Sequence, residues 1–518
     1  MINPLKNIEC PNLFLGFVSA VGADITETLR RFEEKFSALG YRVVNLTVSR
    51  HFDEIAKKII PVTPLDTSTE HKRISTYIKY GNQLRKHYNN PAVLTSLVVF
   101  DIAKERATSA TKDPHQKTVY LIRQFKRKEE IDLLRSIYGR LFFQISVYSR
   151  RAARVEYLAR KFADDEGFGN AKSYRAQAEE LVQTDEEEIT DDFGQRVGKI
   201  FHDADFIVSA DSLSPSVAAQ IDRFSELLFG SNSISPTKHE YGMFLARAAA
   251  LRTLDLSRQV GAAVFSEQGE IICLGSNEVP KANGGTYWSD DKFDDREYKR
   301  GSDSNDKRKR ELLVEILKAY DPDFDKANVF EKKEIRDSQF MDALEYGRIV
   351  HAEMSAISDA ARNGRPIRNS IMYATTFPCH MCAKHIIASG ISKVVFLEPY
   401  PKSLAEGLHA DSIEFGSSER GKYTKFPAVK FEHFFGITPR RYRELFERSL
   451  RKSADGKFMP YVTGLTPKPI INIIYPFYQS FELVVIAEYK DLLNAATGLK
   501  RLSQRTRQRR KLRKKPKR

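Results

Sequence analysis

Four side chains in the second half of the sequence have types and a spacing that suit metal-assisted hydrolysis. They are His351, Glu353, Cys379 and Cys382. Two thiolates and one imidazole leave the fourth position of a tetrahedral zinc ion open, and such an ion lowers the pKa of bound water to about 7. A carboxyl group beside the metal can move protons between that water and the atom under attack. The set predicts a hydrolytic zinc centre with Glu353 as its proton shuttle.

The spacing of these residues narrows the predicted reaction. His351 and Glu353 form an H-x-E motif, and Pro378 introduces the C-x-x-C pair. This order is the signature of zinc enzymes that hydrolyse an amino group from a nucleobase ring. The motif alone leaves cytidine, adenosine, DNA and RNA as possible substrates.

The elements that must hold these residues follow from the flanking sequence. Ile371–Ala374 predicts a strand, and a helix is expected from Cys379 to Ser389, followed by a second strand at Lys393–Leu397. His351 opens another predicted helix, which ends at Gly364. Cysteines three apart at a helix start share one face, and the helix dipole favours their thiolate forms. Two helix N-termini are therefore expected to meet at one ion.

The same residues also have less specific explanations. A C-x-x-C pair occurs as a redox couple or as half of a structural zinc site, but the sequence has four cysteines and no second such pair. Cys10 and Cys273 stand alone in apolar stretches and are expected to be buried. His380 and His385 lie beside the predicted ligands and are expected to support them or to face solvent.

Composition favours a globular, cytoplasmic, multidomain chain. Its 518 residues suffice for two to four domains, and 41% of them are hydrophobic. Four cysteines, no secretory leader and no apolar run of about 18 residues indicate a reducing cytoplasm and no membrane insertion.

The formal net charge of +15 is concentrated at the C-terminus. Residues 500–518 hold twelve Lys or Arg and no acid, which leaves about +3 for the rest of the chain. This basic tail buries too little apolar surface to fold and is expected to be disordered. Binding of RNA, DNA or another polyanion through phosphates is one interpretation, and a merely solvated terminus is the other.

A hairpin and a long insertion precede the predicted zinc ligands. Glu240–Leu256 predicts an amphipathic helix packed on strands at 261–265 and 270–275. Asn277, in the loop that follows, is a candidate to hydrogen-bond a sugar hydroxyl or a base edge, and an ordinary turn asparagine is the alternative. Residues 281–348 form a long charged insertion, and such loops commonly bind a ligand or move.

The N-terminal half predicts a parallel α/β sheet with an altered phosphate loop. A strand at 13–18 leads to a helix at 26–39 through a turn where a phosphate would sit. A working loop requires G-x-x-x-x-G-K-[ST]. Here Gly16 and Gly22 are present, the lysine is missing, and Asp24 would repel a γ-phosphate, so kinase chemistry is not expected. Five arginines are candidate phosphate or RNA contacts, unless they lie on solvated helix faces: Arg85, Arg123, Arg150, Arg151 and Arg154.

The region after the predicted catalytic domain has no functional interpretation from sequence. Arg440–Lys457 predicts a basic helix, and the apolar runs 470–474 and 483–487 predict two strands of a small appended element.

Several stretches resemble deoxycytidylate deaminases of the cytidine deaminase superfamily. Up to about residue 450 the chain also resembles two-domain bacterial antiphage deoxycytidylate deaminases, in which a P-loop kinase-like domain comes first. The stretches that carry the resemblance are Asp255–Ala262, Asn277–Lys281, His351–Met354, Thr376–Cys379 and Glu398–Ser403.

The resemblance implies a fold and roles for individual residues. The implied architecture is α/β: a P-loop kinase-like parallel sheet at 1–230, a three-layer α/β/α deaminase domain at 231–450, a small element at 451–499 and the basic tail. His351, Cys379 and Cys382 would bind Zn²⁺, Glu353 would be catalytic, and Asn277 would contact the nucleotide sugar.

The resemblance also implies a substrate and a biological setting. The implied substrate is dCTP or dCMP, converted to dUTP or dUMP so that a phage loses a DNA precursor. An inhibitory small RNA is an implied partner, with which the basic tail is compatible, and a homo-oligomer is expected. Two alternatives stand beside this hypothesis: a deaminase that acts on polynucleotides, and an RNA-binding regulatory protein built on a deaminase scaffold.

Overall fold

The computed structural model divides the chain into two compact units. Unit 1 comprises Met1–Ser235 and Arg443–Arg518, and unit 2 comprises Pro236–Tyr442. The structure describes residues 7–497 except 110–112, 114, 166, 168–169, 187–192, 212–214, 322–323, 325–327, 337, 400–402, 417–419 and 462–466. The basic tail at 500–518 lies outside the described residues.

Five parallel strands form the centre of unit 1. They are β1 (Leu13–Ser19), β2 (Arg42–Thr47), β3 (Thr118–Arg123), β4 (Phe142–Tyr148) and β5 (Phe206–Ser209). Their order across the sheet is β5-β4-β1-β3-β2, and the four pairings that join them are parallel. Leu13, Phe14 and Leu15 are fully buried, as expected for a central strand covered on both faces. The predicted parallel sheet is confirmed, and the kinase-like identity of this unit stays a prediction.

Amphipathic helices cover this sheet. Helix α1 buries Leu29, Phe32 and Phe36, which recur at helical spacing, and the Phe32 ring packs edge-on against Phe17 and Phe224. The helices of this part are α1 (Thr26–Ala38), α2 (Phe52–Ala56), α3 (Glu70–His87), α4 (Thr95–Ala107), α5 (Lys128–Tyr138), α6 (Arg151–Asp165), α7 (Arg175–Glu186), α8 (Val197–Ile200) and α9 (Val217–Leu228). Short 3-10 helices lie at Val48–His51, Gly139–Leu141, Ala171–Tyr174 and Phe201–Asp203.

Unit 2 is built on a mixed six-stranded sheet. Its order is β10-β11-β9-β8-β6-β7, with β6 antiparallel to both neighbours and the other pairs parallel. The strands of this unit are β6 (Gly261–Phe265), β7 (Ile271–Ser276), β8 (Ile371–Thr376), β9 (Lys393–Glu398), β10 (Ile413–Phe415), β11 (Val429–His433) and the two-residue β12 (Gly436–Ile437). The predicted hairpin and the predicted strand, helix and strand around the cysteines are confirmed. The chain is therefore mixed α/β, with two sheets rich in parallel pairs.

The helices of unit 2 include three inside the long insertion. They are α10 (Lys238–Ala250), α11 (Glu297–Arg300), α12 (Ser304–Tyr320), α13 (Lys333–Arg336), α14 (Ala352–Arg362), α15 (His380–Ala388) and α16 (Ala405–Leu408), with 3-10 helices at Val329–Glu331, Gln339–Asp342 and Gly421–Tyr423. The expected long loop at 281–348 is thus partly helical. Asp303 accepts a hydrogen bond from the Asp306 N–H and so caps the 17-residue α12.

Two glycines let helices approach the sheet of unit 2 closely from opposite faces. A Cβ on Gly261 would lie 1.9 Å from the carbonyl oxygen of Ala246 in α10, and one on Gly275 would lie 2.1 Å from that of Ala352 in α14. Gly261 is paired with Ser276 between β6 and β7, so the Cβ positions of these two residues lie on the same face of the sheet. Positions 275 and 276 are successive in β7, so their Cβ positions lie on opposite faces. Helices α10 and α14 therefore cover opposite faces of the sheet.

The close approach at Gly261 predicts a large cost for one added methyl group. Gly261→Ala is expected to destabilise unit 2 by about 3 kcal/mol, because backbone atoms of α10 would have to move. Urea unfolding followed by the fluorescence of Trp288, the single tryptophan of the chain, reports on this unit. Gly407→Ala is the matched control, since its Cβ would meet nothing within 4 Å. Equal unfolding midpoints for the two variants would contradict the packing argument.

The C-terminal part of unit 1 is helical where strands were predicted. Its helices are α18 (Tyr478–Glu488) and α19 (Lys490–Ala496), and the shorter α17 (Tyr442–Phe446) lies at the unit boundary. The predicted strand at 483–487 is wrong, because Tyr478 and Glu482 point inward one helical turn apart and Glu482 pairs with Arg106. The predicted strand at 470–474 is also wrong, since within the described residues 467–477 the backbone forms one isolated bridge, from Ile473 to Ile8. The predicted helix at 440–457 covers only Tyr442–Phe446.

Candidate metal centre and active site

The starts of two helices bring three potential metal ligands together. His351 immediately precedes α14, Cys379 immediately precedes α15, and Cys382 lies in the first turn of α15. The Nδ1 atom of His351 lies 3.3 Å from the Sγ atoms of both cysteines. One ligand atom from each residue lies within 4.8 Å of the others. Among the described residues, this is the group of His, Cys, Asp and Glu side chains that has metal-binding geometry.

The donor set and its spacing fit zinc. Zinc binds thiolate sulfur at about 2.3 Å and imidazole nitrogen at about 2.0 Å, so tetrahedral geometry places sulfur and nitrogen about 3.5 Å apart. The observed separations of 3.3 Å are close to that value. Because the three donor atoms already lie within 4.8 Å of one another, the ligands can surround one ion without a large rearrangement.

The electrostatics of the cluster favour a thiolate at its centre. A hydrogen bond from Cys382, supported by His351, lowers the pKa of Cys379 to about 4. The hydrogen bond between His351 and Cys379 raises the pKa of His351 to about 8. The hydrogen bond between Cys382 and Cys379 raises the pKa of Cys382. The N-terminus of α15 adds a positive dipole end beside both sulfurs. Cys379 is therefore favoured as a thiolate, the form in which a cysteine binds a metal ion.

Glu353 lies beside the ligands and is almost fully buried. Its side chain is in the first turn of α14, the residue is 2% exposed, and Oε2 accepts a hydrogen bond from Cys382 Sγ at 3.4 Å. Burial raises the pKa of the Glu353 carboxyl, and the nearby Cys379 thiolate raises it further. This carboxyl group is therefore able to hold a proton next to the metal centre.

A cavity of about 220 Å³ opens onto these residues. The ligands His351 and Cys379 and the carboxyl of Glu353 line it. Its other walls come from the loops before β6 and after β7, from the end of β8, from the insertion and from the start of α14 with the residues before it. The lining residues are Asp255, Ser257, Arg258, Val260, Asn277, Glu297, Asp303, Ser304, Asn305, Leu344, Gly347, Arg348, Ile349, Ala352, Thr376 and Phe377.

Asn277 lines this cavity and also holds its wall together. Its amide nitrogen donates to Asp255 Oδ2 and to the carbonyl oxygen of Arg258, and its Oδ1 accepts from the Val260 N–H. Both amide protons are thus used, which leaves acceptor capacity on Oδ1 for a further donor. Burial raises the pKa of Asp255, the residue that Asn277 anchors.

Two arginines at the cavity were not predicted from sequence. Arg258 forms an ion pair with Glu398, and Arg348 donates to the backbone and carboxylate of Asp295. Both line the cavity, at side-chain exposures of 43% and 28%. Arg348 lies three residues before His351, and this proximity was the one sequence signal that could have indicated it.

The structure places the predicted phosphate-loop residues of unit 1 in three settings. Gly16 lies inside β1, where a Cβ would come 2.7 Å from the Phe142 ring. Gly22 lies in the turn after β1 with a φ of 84°. Asp24 accepts a hydrogen bond from the Thr26 N–H at the start of α1. Gly16 thus serves packing, Gly22 serves the geometry of the turn, and Asp24 caps the start of α1.

The arginines proposed as phosphate contacts are largely engaged within unit 1. Arg85 is buried and paired with Glu130, and Arg150 is paired with Asp211. Arg123 donates to Thr47, while Arg151 and Arg154 pair with Glu186. No helix among the described residues has both the length and the apolar character that crossing a bilayer requires.

Comparison with known proteins connects the site to a family. Residues 236–398 match the family model of the cytidine and deoxycytidylate deaminase zinc-binding region. The deoxycytidylate deaminase of Enterobacteria phage T2 is 52% identical over 54 residues, which cover 10% of this chain and 29% of that protein. The probable deoxycytidylate deaminase of Drosophila melanogaster is 30% identical over 158 residues, covering 30% of this chain and 58% of the relative. The matches thus span less than two thirds of either relative.

A solved structure also aligns with part of the chain. The dCMP deaminase from the cyanophage S-TIM5 aligns over 39% of this chain and 100% of its own, with 16% sequence identity and a TM-score of 0.21. The family match and the His/Cys cluster coincide in sequence, since His351, Cys379 and Cys382 all fall within residues 236–398. Residues 236–398 thus match a zinc-binding family model over the stretch that contains the candidate ligands, and zinc is the cofactor that this match and the donor set support.

Proposed function

We propose that this protein is a zinc-dependent hydrolytic deaminase that converts free deoxycytidine nucleotides, dCMP or dCTP, to deoxyuridine nucleotides. The observation that carries the proposal is the buried Glu353 carboxyl beside a three-residue metal centre in the wall of a cavity. A scaffold or a purely RNA-binding protein has no use for a buried carboxyl at that position. The relatives named deoxycytidylate deaminase support a deoxycytidine nucleotide as the substrate.

In this mechanism His351, Cys379 and Cys382 hold the zinc and Glu353 moves the protons. Bound zinc supplies a water whose pKa is lowered to about 7. Glu353 takes a proton from the water that adds to C4 of the base and passes it to ring N3. It then takes the remaining proton from the hydroxyl added at C4 and delivers it to the amine, which leaves as ammonia while the C4 carbonyl of uracil forms. A raised pKa suits a group that both accepts and donates protons.

The cavity wall provides a sugar contact. Asn277 is proposed to accept a hydrogen bond from a sugar hydroxyl through Oδ1, because its amide protons are already donated to Asp255 and Arg258. The same amide holds the Val260 N–H, so Asn277 also fixes the wall against which the sugar would lie.

Arg258 and Arg348 are proposed to bind the substrate phosphates. Each guanidinium lines the cavity and is held by a carboxylate, from Glu398 and Asp295 respectively. A phosphate group entering the cavity would compete with those carboxylates for charge-assisted hydrogen bonds.

Removal of the Arg348 charge is expected to weaken nucleotide binding more than it slows the chemistry. Arg348→Gln should raise KM for dCMP or dCTP about tenfold or more and change kcat by less than about threefold, because a hydrogen bond to a charged group contributes about 1.5–3 kcal/mol. Steady-state kinetics measure both parameters. Arg362→Gln is the control, since Arg362 pairs with Asp359 on α14 and does not line the cavity. An unchanged KM would exclude Arg348 as a phosphate contact.

The substrate class is tested by comparing the conversion of nucleotides with that of polynucleotides. The full chain with zinc is incubated with dCMP, dCTP, CMP, CTP, single-stranded DNA and single-stranded RNA, and uracil products are quantified. Conversion of dCMP or dCTP is expected. Conversion of a polynucleotide alone would favour the polynucleotide deaminase, and no conversion, with RNA bound tightly, would favour the regulatory scaffold.

A biological role is also proposed. Deamination of deoxycytidine nucleotides removes a DNA precursor, and we propose that the protein depletes this pool in the cytoplasm during phage infection. Nucleotide pools measured in infected cells that express the wild-type chain or Glu353→Gln test this proposal. A fall in dCTP that does not depend on Glu353 would contradict it.

Regulation and assembly are further proposals. An inhibitory RNA or other polyanion is proposed to bind residues 500–518, and the chain is proposed to form a homo-oligomer. Electrophoretic shifts with and without residues 500–518, at two salt concentrations, test the first because phosphate contacts weaken steeply with salt. Light scattering of the full chain tests the second.

A further inference from the structure

A buried ion pair joins the long insertion to the loop after β7 in unit 2. Nη1 of Arg296, in the insertion, lies 3.4 Å from Oε2 of Glu278, and the two side chains are 2% and 1% exposed. Burial removes the hydration of both charges, so such a pair adds little net stability compared with apolar side chains of similar size. The chain neighbours of the pair, Asn277 and Glu297, both line the cavity. The pair therefore connects two parts of the cavity wall.

Glu278 belongs to the side of this connection that is fixed to the sheet. Its Oε2 also accepts a hydrogen bond from the Leu254 N–H at 3.0 Å, in the loop before β6. Its backbone forms an isolated bridge with Val350, in which the Glu278 N–H donates over 3.3 Å and the Val350 N–H donates back over 3.2 Å. Val350 directly precedes the candidate ligand His351. Glu278 thus contacts both the loop before β6 and the backbone next to the metal centre.

Arg296 holds the insertion side of the connection. Its Nε and Nη2 donate to the two carboxylate oxygens of Asp294 at 2.9 and 2.8 Å, a bidentate contact that fixes the orientation of the guanidinium. The chain neighbours of Arg296 both contact Arg348. Nη1 of Arg348 donates to the Asp295 carbonyl oxygen at 2.9 Å and lies 3.8 Å from Glu297 Oε1. The segment that Arg296 ties to Glu278 is therefore the segment that holds the Arg348 guanidinium.

We propose that Arg296 and Glu278 are positioning residues that present the Arg348 guanidinium to the phosphate group of the nucleotide. Neither residue lines the cavity, so both act through Arg348. Glu278 fixes the backbone near Arg348 through Val350, and it fixes the side chain through Arg296 and the segment around it. A long side chain that is ordered before binding loses less conformational freedom when the ligand arrives. This inference rests on the proposed function, in which Arg348 binds phosphate.

A double-mutant comparison tests whether Arg296 acts through Arg348. Arg296→Met removes the charge and keeps much of the side-chain length, and it is expected to raise KM for dCMP or dCTP about tenfold while kcat changes by less than about threefold. Added to Arg348→Gln, the same substitution is expected to raise KM further by less than about twofold, because the two residues serve one contact. An unchanged or lowered KM for Arg296→Met, or effects that multiply in the double variant, would overturn the proposal.

The matched control breaks a different buried arginine–glutamate pair. Arg106→Met separates Arg106 from Glu482 in unit 1, where the side chains are 8% and 1% exposed. This variant is expected to lose stability and to keep the KM of the wild type. Since Arg296→Met leaves the Glu278 carboxylate buried without its cation, a second variant carries both Arg296→Met and Glu278→Gln and so removes both charges. The same rise in KM is expected for it.

Hydrogen–deuterium exchange of the full chain tests the connection without any measurement of activity. Loss of the pair is expected to speed amide exchange in peptides that contain residues 294–297 and 348–350, relative to both wild type and Arg106→Met. Exchange equal to that of the wild type in both Arg296 variants would overturn the inference, whatever the protein converts. If exchange rises as expected but the wild type converts no free nucleotide, the proposed function fails and the connection through Arg296 stands.

Discussion

Replacement of Glu353 by glutamine is expected to lower kcat for dCMP or dCTP by about 10³-fold while zinc stays bound. General acid–base catalysis contributes about 10²–10⁴-fold, and an amide of the same shape neither takes nor gives the proton that C4 hydrolysis requires. The side chain is 2% exposed and fills its place beside Cys382, so glutamine should preserve the packing. The effect is therefore expected in kcat, with zinc content and unfolding temperature close to those of the wild type.

Three measurements separate this role from a structural one. Zinc per chain is determined by mass spectrometry, folding by circular dichroism, and kcat and KM by product formation. Glu345→Gln is the matched control, since Glu345 contacts His380 near the site but does not line the cavity. Its kcat should stay within about twofold of the wild type. A Glu353→Gln variant that keeps more than about a tenth of the wild-type kcat would remove Glu353 from the mechanism.

Replacement of Cys382 by serine is expected to abolish both zinc binding and activity. A serine hydroxyl does not ionise near neutral pH, so one of the three ligands would be lost. Cys382 also lies 3.3 Å from His351 Nδ1 and donates to Glu353, so its loss removes the group that orients both partners. Zinc content is expected to fall below about a tenth of an equivalent, and kcat by about 10³-fold or more.

Cys273→Ser is the control for this substitution. Cys273 is equally buried, donates from Sγ to the Ala356 carbonyl oxygen at 3.2 Å, and lies outside the metal cluster. Burial raises the pKa of its thiol to about 12, which disfavours the thiolate that a metal binds. A serine at this position can make the same hydrogen bond. One equivalent of zinc in the Cys382→Ser protein would contradict the assignment of that residue as a ligand.

Local sequence was sufficient to predict features that depend on residue chemistry and short-range geometry. The grouping of His351, Cys379 and Cys382 could be anticipated because zinc restricts the residue types and because both cysteines lie in one helical turn. Strands such as β6 and β9 have compact apolar runs with turn residues on either side, and these signals were enough to place them.

Contacts between distant parts of the chain could not be predicted in this way. The apolar run 483–487 favours a strand when considered alone, whereas the structure makes it helical and anchors the helix through Glu482 to Arg106, 376 residues away. Asp303, Ser304 and Asn305 of the insertion line the same cavity as His351, although they are remote from it in sequence. The same applies to Asp185, whose partner Val21 lies 164 residues away in sequence. Pattern and propensity contain no information about such pairings.

The close approach of α14 to β7 at Gly275 links a packing position to the proposed reaction. The backbone atom that limits this approach is the carbonyl oxygen of Ala352, and Ala352 stands between His351 and Glu353 in the chain. Any side chain at 275 would push on the peptide that carries both the metal ligand and the proton carrier. The spacing of strand and helix thus sets the relative positions of His351 and Glu353. If these residues act as proposed, a residue at 275 that touches neither zinc nor nucleotide would influence the catalytic rate.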